Sequence, residues 1–194
     1  RVLFRSIDTK NDKKRPWQPS FLIEDEEEFA KRMDVEVLDT NGIPYTQYSS
    51  LDYTRFQVFQ YMIGNTDWIP VTGHNVQIIQ TEDGTLIPVP YDFDFAGIVE
   101  APYACPNSWT PIKTVRDRFF MGNNKSEEEL NVVFEEFRQK RNAMIDLIYD
   151  FDRLEKPQRK AMIAYVNSFF TVINNPIEVK KQFLDKEEFL SDRY

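Results

Sequence analysis

The sequence has one cysteine, Cys105, and one histidine, His74. A single thiol cannot close an internal disulfide, so no disulfide framework holds the fold. Any Ser-His-Asp or Cys-His triad would rest wholly on His74, and no Gly-x-Ser-x-Gly elbow accompanies it. Zinc ligation needs more His or Cys than the chain possesses. Positive charge is also short: 24 Lys and Arg face 32 Asp and Glu, for a net charge of −8 and a pI near 4.8. That balance argues against a general nucleic-acid binder, which needs a basic face, and against an anionic membrane surface. No apolar run reaches the ~18 residues of a membrane span. No signal peptide, internal repeat or low-complexity segment is visible.

What the chain does have is aromatic bulk. Sixteen Phe and nine Tyr sit among 194 residues that are 41% hydrophobic, enough for one substantial core, or one domain with an appendage. The chain begins at Arg1 rather than Met, which suggests a piece of a longer protein.

The chain is organised around Gly64 to Gly97, GNTDWIPVTGHNVQIIQTEDGTLIPVPYDFDFAG. Asp67 lies in a polar loop, and His74-Asn75 lead into a short apolar strand. Asp83-Gly84 turns that strand back onto a second one ending at Tyr91-Asp92-Phe93-Asp94. A hairpin with acids and amides at its open end should bring Asp67, Asn75, Asp92 and Asp94 to one spot. An oxygen-rich cluster of this kind suits Mg²⁺, which takes one or two carboxylates together with substrate phosphates.

At these residues the sequence resembles the catalytic core of the atypical kinase-like fold. Its members include HipA-like toxin kinases, CotH-type kinases, phosphatidylinositol kinases and choline or aminoglycoside kinases. A group of bacterial proteins sharing the pattern IGNTDW…HN…PYDFD…G looks similar in the same way. The resemblance is specific over about residues 57–118. It implies that Asp67 takes the place of the catalytic Asp, and Asn75 and Asp92 those of the metal-binding Asn and Asp, with Asp94 competing for the last role. It also implies Mg²⁺, ATP or another nucleotide, and a hydroxyl acceptor of unknown identity. Glu24 and Asp25 would lie at the hinge that passes the adenine ring. Export to a bacterial periplasm or envelope is the localisation it suggests. Three departures stand out. Asp67 and Asn75 are eight residues apart, where the kinase motif allows about five, and the inserted Pro70 to Gly73 would have to absorb the excess. No basic residue lies between them. No Gly-rich phosphate loop or Val-Ala-Ile-Lys-like strand is present, so the nucleotide-covering lobe is expected to be missing and this chain alone inactive.

The expected class is therefore α+β: a mainly helical large lobe with a small catalytic hairpin and a few N-terminal strands. Residues 1–24 would be the remnant of the small lobe and hinge, and 25–194 the C-terminal lobe. Strands are expected at Arg1–Ile7 and Ser20–Ile23, with an exposed loop over Asp8–Pro19. Helices are expected over Asp25–Met33, over Leu51–Ile63 (Ser50 as cap, Gly64 as stop, one face apolar), and over Ser126–Phe151 with a capping box. Two more follow, from Pro157 to Ile173 and over Ile177–Leu190. Val35–Ser50 reads as loop or short strand. Ala96–Arg118 has little periodicity and occupies the activation-segment position. There Tyr91, Tyr103 and Trp109 either line a substrate surface or pin the loop to the core. Arg116 and Arg118 either contact phosphate or substrate, or serve as structural partners. His74 either organises the loop or assists the chemistry.

Three functions stay open. The first is Mg²⁺-dependent phosphoryl transfer from a nucleotide. The second is an inactive, pseudokinase-like binding module of the cell envelope. The third is a carboxylate-metal hydrolase.

Overall fold

The computed structural model describes residues 23–39, 42–122 and 126–185, preceded by four short strand segments. The chain divides into two units, residues 1–36 and 37–194. In the first, β1 (Val2–Phe4) pairs antiparallel with β4 (Gln18–Ser20), and β2 (Ile7–Asp8) with β3 (Lys13–Lys14). The polar stretch expected as a loop over Asp8–Pro19 thus contains two strands and part of a ladder. Its lysines and prolines read as loop, but a ladder is made by backbone groups. Pro19 is tolerated because a two-stranded ladder is all edge. The expected Ser20–Ile23 strand lies earlier, at Gln18–Ser20.

Helix α1 (Glu26–Met33) follows. Asp25 caps it by accepting the Glu27 N–H, three glutamates open it, and Lys31 and Arg32 close it. Both charge sets complement the helix dipole. Asp34 ends it at φ 55°.

The second unit is built around α2 (Ser50–Ile63). The cap is Ser49, whose Oγ accepts the Asp52 N–H. Ser50 instead donates to the Glu129 carboxylate at 2.8 Å, joining α2 to α3 (Glu127–Asp150). One apolar face was expected for α2, but Tyr53, Phe56, Gln57, Val58, Gln60, Tyr61, Met62 and Ile63 are all buried. A helix enclosed on every side shows no single stripe. Two aromatic clusters enclose it. Tyr53 and Phe56 join Trp68, Val76, Ile78, Leu86 and Met121. Val58, Tyr61, Met62 and Ile63 join Leu130, Val133, Phe134 and Phe137 of α3. The same cluster takes Val166, Phe169, Phe170 and Ile173 from α4 (Lys156–Ile173).

Ser126 Oγ accepts the Glu129 N–H and starts α3. Pro157 falls in the first turn of α4, where its missing N–H costs nothing. The last expected helix is a short α5 (Pro176–Val179) running into a wider turn over Lys180–Leu184, with Val179 and Phe183 buried. The rest of that expected helix, to Leu190, lies outside the described residues. No described helix is long and apolar enough to cross a membrane.

The hairpin is β6 (Val76–Thr81) and β7 (Leu86–Pro90), with Val76 opposite Pro90 and Ile78 opposite Pro88. With β5 (Val35–Leu38) the order is β5-β6-β7, so both prolines fall on an edge strand, where a missing N–H breaks no ladder. The architecture is α+β, with α2 as the axis that carries the loops at the hairpin's open end.

Candidate functional site

Gly64 ends α2 in the left-handed region at φ 69°, which favours a residue without Cβ. The next three residues form the floor of the site. Asn65 is 2% exposed, and its Oδ1 accepts the Asp67 N–H at 2.9 Å. Trp68, 1% exposed, donates from Nε1 to the Asn65 carbonyl at 3.1 Å and packs edge-on to Phe56. Asn107 donates to the Thr66 carbonyl from the loop opposite. The backbone under Asp67 is thereby tied to a buried aromatic core, while its carboxylate stays half-exposed.

The inserted residues fold on themselves. Ile69 and His74 exchange two backbone hydrogen bonds of 2.9 and 3.0 Å around the turn Pro70–Thr72, and Gly73 closes it at φ 69°. This closed loop absorbs the eight-residue spacing. Asn75 Nδ2 donates to the Asp67 carbonyl at 2.8 Å and to Asp67 Oδ2 at 3.0 Å. His74 Nε2 lies 2.9 Å from Asp67 Oδ1. Both Asp67 oxygens are therefore oriented by the two residues that immediately precede β6.

Across the hairpin mouth, Tyr91 N–H donates to the Asn75 carbonyl. Asn75 and Asp92 both adopt left-handed backbone, at φ 55° and 54°. Asn and Asp tolerate that region better than most residues, at some cost. Such strain concentrates at functional positions. Partial burial, then the charge of Asp94 and a hydrogen bond with it, raise the Asp92 carboxyl above the usual range, and Asp67 adds to the effect. Asp92 thus senses both Asp94 and Asp67, and Asn75 is bonded to Asp67. Tyr103 joins from the 98–118 loop. Its hydroxyl is raised chiefly by the nearby Asp94, and its ring lies edge-on to Phe95 at 6.1 Å.

The other expected site residues have contacts of their own. Arg118 donates to the Met62 and Tyr165 carbonyls and to Ser168 Oγ, and its guanidinium lies 3.9 Å from the Tyr165 ring centre. Its burial lowers its pKa. It clamps α2 to α4. Arg116 pairs with Glu100 at 2.6 Å and also lies over Tyr165. Glu24 accepts two hydrogen bonds from Arg32, and Asp25 caps α1, both within the first unit. Trp109 packs against the Trp68 cluster, whereas Tyr91 and Tyr103 are exposed.

The structural role of Asn65 went unread in the sequence, although Asn-x-Asp is the signature of a side chain closing a turn on the amide two residues on. Among the described residues, no group of three or more His, Cys, Asp or Glu is arranged to hold a metal ion by itself. Comparison with family models, curated proteins and solved structures finds no match to this chain.

Proposed function

We propose that the site serves Mg²⁺-dependent phosphoryl transfer from a nucleotide to a hydroxyl acceptor, in the manner of the atypical kinase-like fold. One observation supports this most: His74 and Asn75 both hold the Asp67 carboxylate, at 2.9 and 3.0 Å, beside the interacting pair Asp92 and Asp94. An oriented carboxylate suits the positioning of an acceptor hydroxyl and the removal of its proton. Mg²⁺ rarely sits in an all-protein cage; it takes one or two carboxylates plus phosphate oxygens. Asp92, Asp94 and the Asn75 amide oxygen are donors of that type. When bound, the ion would neutralise phosphate charge. Asp67 and its two partners would supply orientation.

The test is titration of the intact protein with ATP and Mg²⁺, followed by transfer of labelled phosphate. Asp92→Ala should abolish nucleotide binding. Asp67→Ala should keep binding and lower transfer by about 10²–10⁴-fold, the range for a positioned acid or base. Intact protein that binds no nucleotide would sink the reading.

A second reading is a non-catalytic module of the same class at a bacterial envelope. It predicts that nucleotide, if bound at all, is never turned over.

A further inference from the structure

His74 is the only histidine of the chain, and its ring is tied to the protein through one nitrogen. Nε2 lies 2.9 Å from Asp67 Oδ1. An ionised carboxylate only accepts, so Nε2 carries the proton and the neutral ring keeps its lone pair on Nδ1. Among the described residues Nδ1 has no hydrogen-bond partner, and the side chain is 49% exposed. The backbone beneath the ring is fixed by the two hydrogen bonds exchanged with Ile69. Asp67 is oriented in turn: Asn75 Nδ2 holds its other oxygen at 3.0 Å, and Asn65 Oδ1 accepts its N–H. An oriented carboxylate behind an imidazole with an unpartnered far nitrogen is the pattern of an activated nucleophile. Direct transfer from nucleotide to acceptor leaves that nitrogen without a task.

We propose that His74 Nδ1 is a covalent phosphoryl carrier, so that transfer runs in two steps. This rests on the phosphotransferase reading in taking a nucleoside triphosphate as donor. In the first step the Nδ1 lone pair forms a bond to the terminal phosphorus. The bond from that phosphorus to the bridging oxygen breaks, and its electron pair leaves with the nucleoside diphosphate. The ring becomes a phosphorylated imidazolium with the proton still on Nε2, and the Asp67 carboxylate beside it offsets the positive charge. In the second step the acceptor hydroxyl oxygen attacks the same phosphorus and the P–N bond breaks. Its electron pair returns to Nδ1, and the hydroxyl proton passes to Asp67 and on to water.

Two donors separate the carrier from the nucleotide site. Phosphoramidate needs no nucleotide site, because ammonia is its leaving group, and the untagged chain offers it a single imidazole. Phosphohistidine is read by phosphorus resonance and by its loss in acid and survival in alkali. His74 should react faster than free histidine in the same solution by about tenfold or more, the scale of a hydrogen bond to a charged partner. Asp67→Asn keeps an acceptor for Nε2, drops the charge and should lose that advantage. ATP with Mg²⁺ and no acceptor should place the same acid-labile label on the wild type and none on His74→Gln. Reaction with phosphoramidate no faster than for free histidine, or equally fast in Asp67→Asn, overturns the carrier and leaves direct transfer standing. Nucleotide that binds yet leaves no acid-labile phosphate on the chain overturns it as well. Fast, Asp67-dependent labelling by phosphoramidate without any binding of ATP supports the carrier and overturns the nucleotide reading.

Discussion

The two ends of the Asp92–Arg118 segment differ sharply. At its start, Asp92 stands at an open mouth on left-handed backbone, its carboxyl raised by partial burial and by Asp94, with the exposed Tyr103 nearby. A few residues on, the chain is locked. Gly97 N–H donates to the Gly64 carbonyl and Ile98 N–H to Ile63, both at 3.0 Å. The Tyr165 hydroxyl donates to the Arg116 carbonyl at 3.1 Å. Arg118 closes the assembly between Met62 and Tyr165. The difference shows where precision at the mouth originates. Acids at an open mouth do not hold themselves in place, so the backbone carrying them is anchored before them to the Asn75 carbonyl and after them to the C-terminal end of α2.

The largest effect should come from the lock. A Cβ on Gly97 would run into the Val115 carbonyl and lie 2.6 Å from the Tyr165 hydroxyl. Gly97→Val should cost about 3 kcal/mol or more, read as a lower urea midpoint at constant slope. A loss below about 1 kcal/mol would mean that this end is no tighter than the mouth. Next comes Arg118→Met, which keeps the stem but deprives the Met62 and Tyr165 carbonyls of their charged donor. A loss of about 2–3 kcal/mol is expected for buried groups left unpaired. Arg116→Met removes an exposed ion pair and should cost no more than about 1 kcal/mol. If the two arginines prove equal, Arg118 is not a clamp.

Much of this was legible in the sequence. Phe56, Phe59, Met62 and Ile63, ended by Gly64, announce a helix with one apolar face and a sharp stop. Asp83-Gly84 between two apolar runs announces the hairpin, and that hairpin brings Asn75 beside Tyr91 and Asp92; the closed loop over Ile69–His74 that returns Asn75 to Asp67 carries no such signal. The strands in Asp8–Pro19 were hidden because short backbone ladders need no apolar pattern. The all-round burial of α2 was hidden because Gln57 and Gln60 break its hydrophobic periodicity while lying inside. The two roles of Arg116 and Arg118 could not be separated either. Both follow the same loop in sequence, and only packing on Tyr165 decides which guanidinium is enclosed.

The smallest effect sharpens the comparison from the open end. The Asp92 carboxyl is raised by partial burial and by Asp94, so the folded chain holds that proton more tightly than the unfolded chain does. The associated stability is fully present below the unfolded value of about 3.9 and is lost as pH rises through the higher folded value. Asp92→Asn carries no charge and suits the same left-handed backbone. Relative to the variant, the wild type should therefore lose stability across that window, on top of the rise that the lowered carboxyls of Asp83, Asp117 and Glu136 give both chains. At neutral pH the variant should be more stable by about 0.5 kcal/mol, a small figure because solvent screens an exposed pair. Millimolar Mg²⁺ should then reverse the order, since a cation bound only to the folded wild type stabilises it by mass action. Parallel pH profiles for the two chains, measured by denaturation at fixed ionic strength, would show that the mouth carries no such repulsion and that its acids are as settled as the lock beneath them.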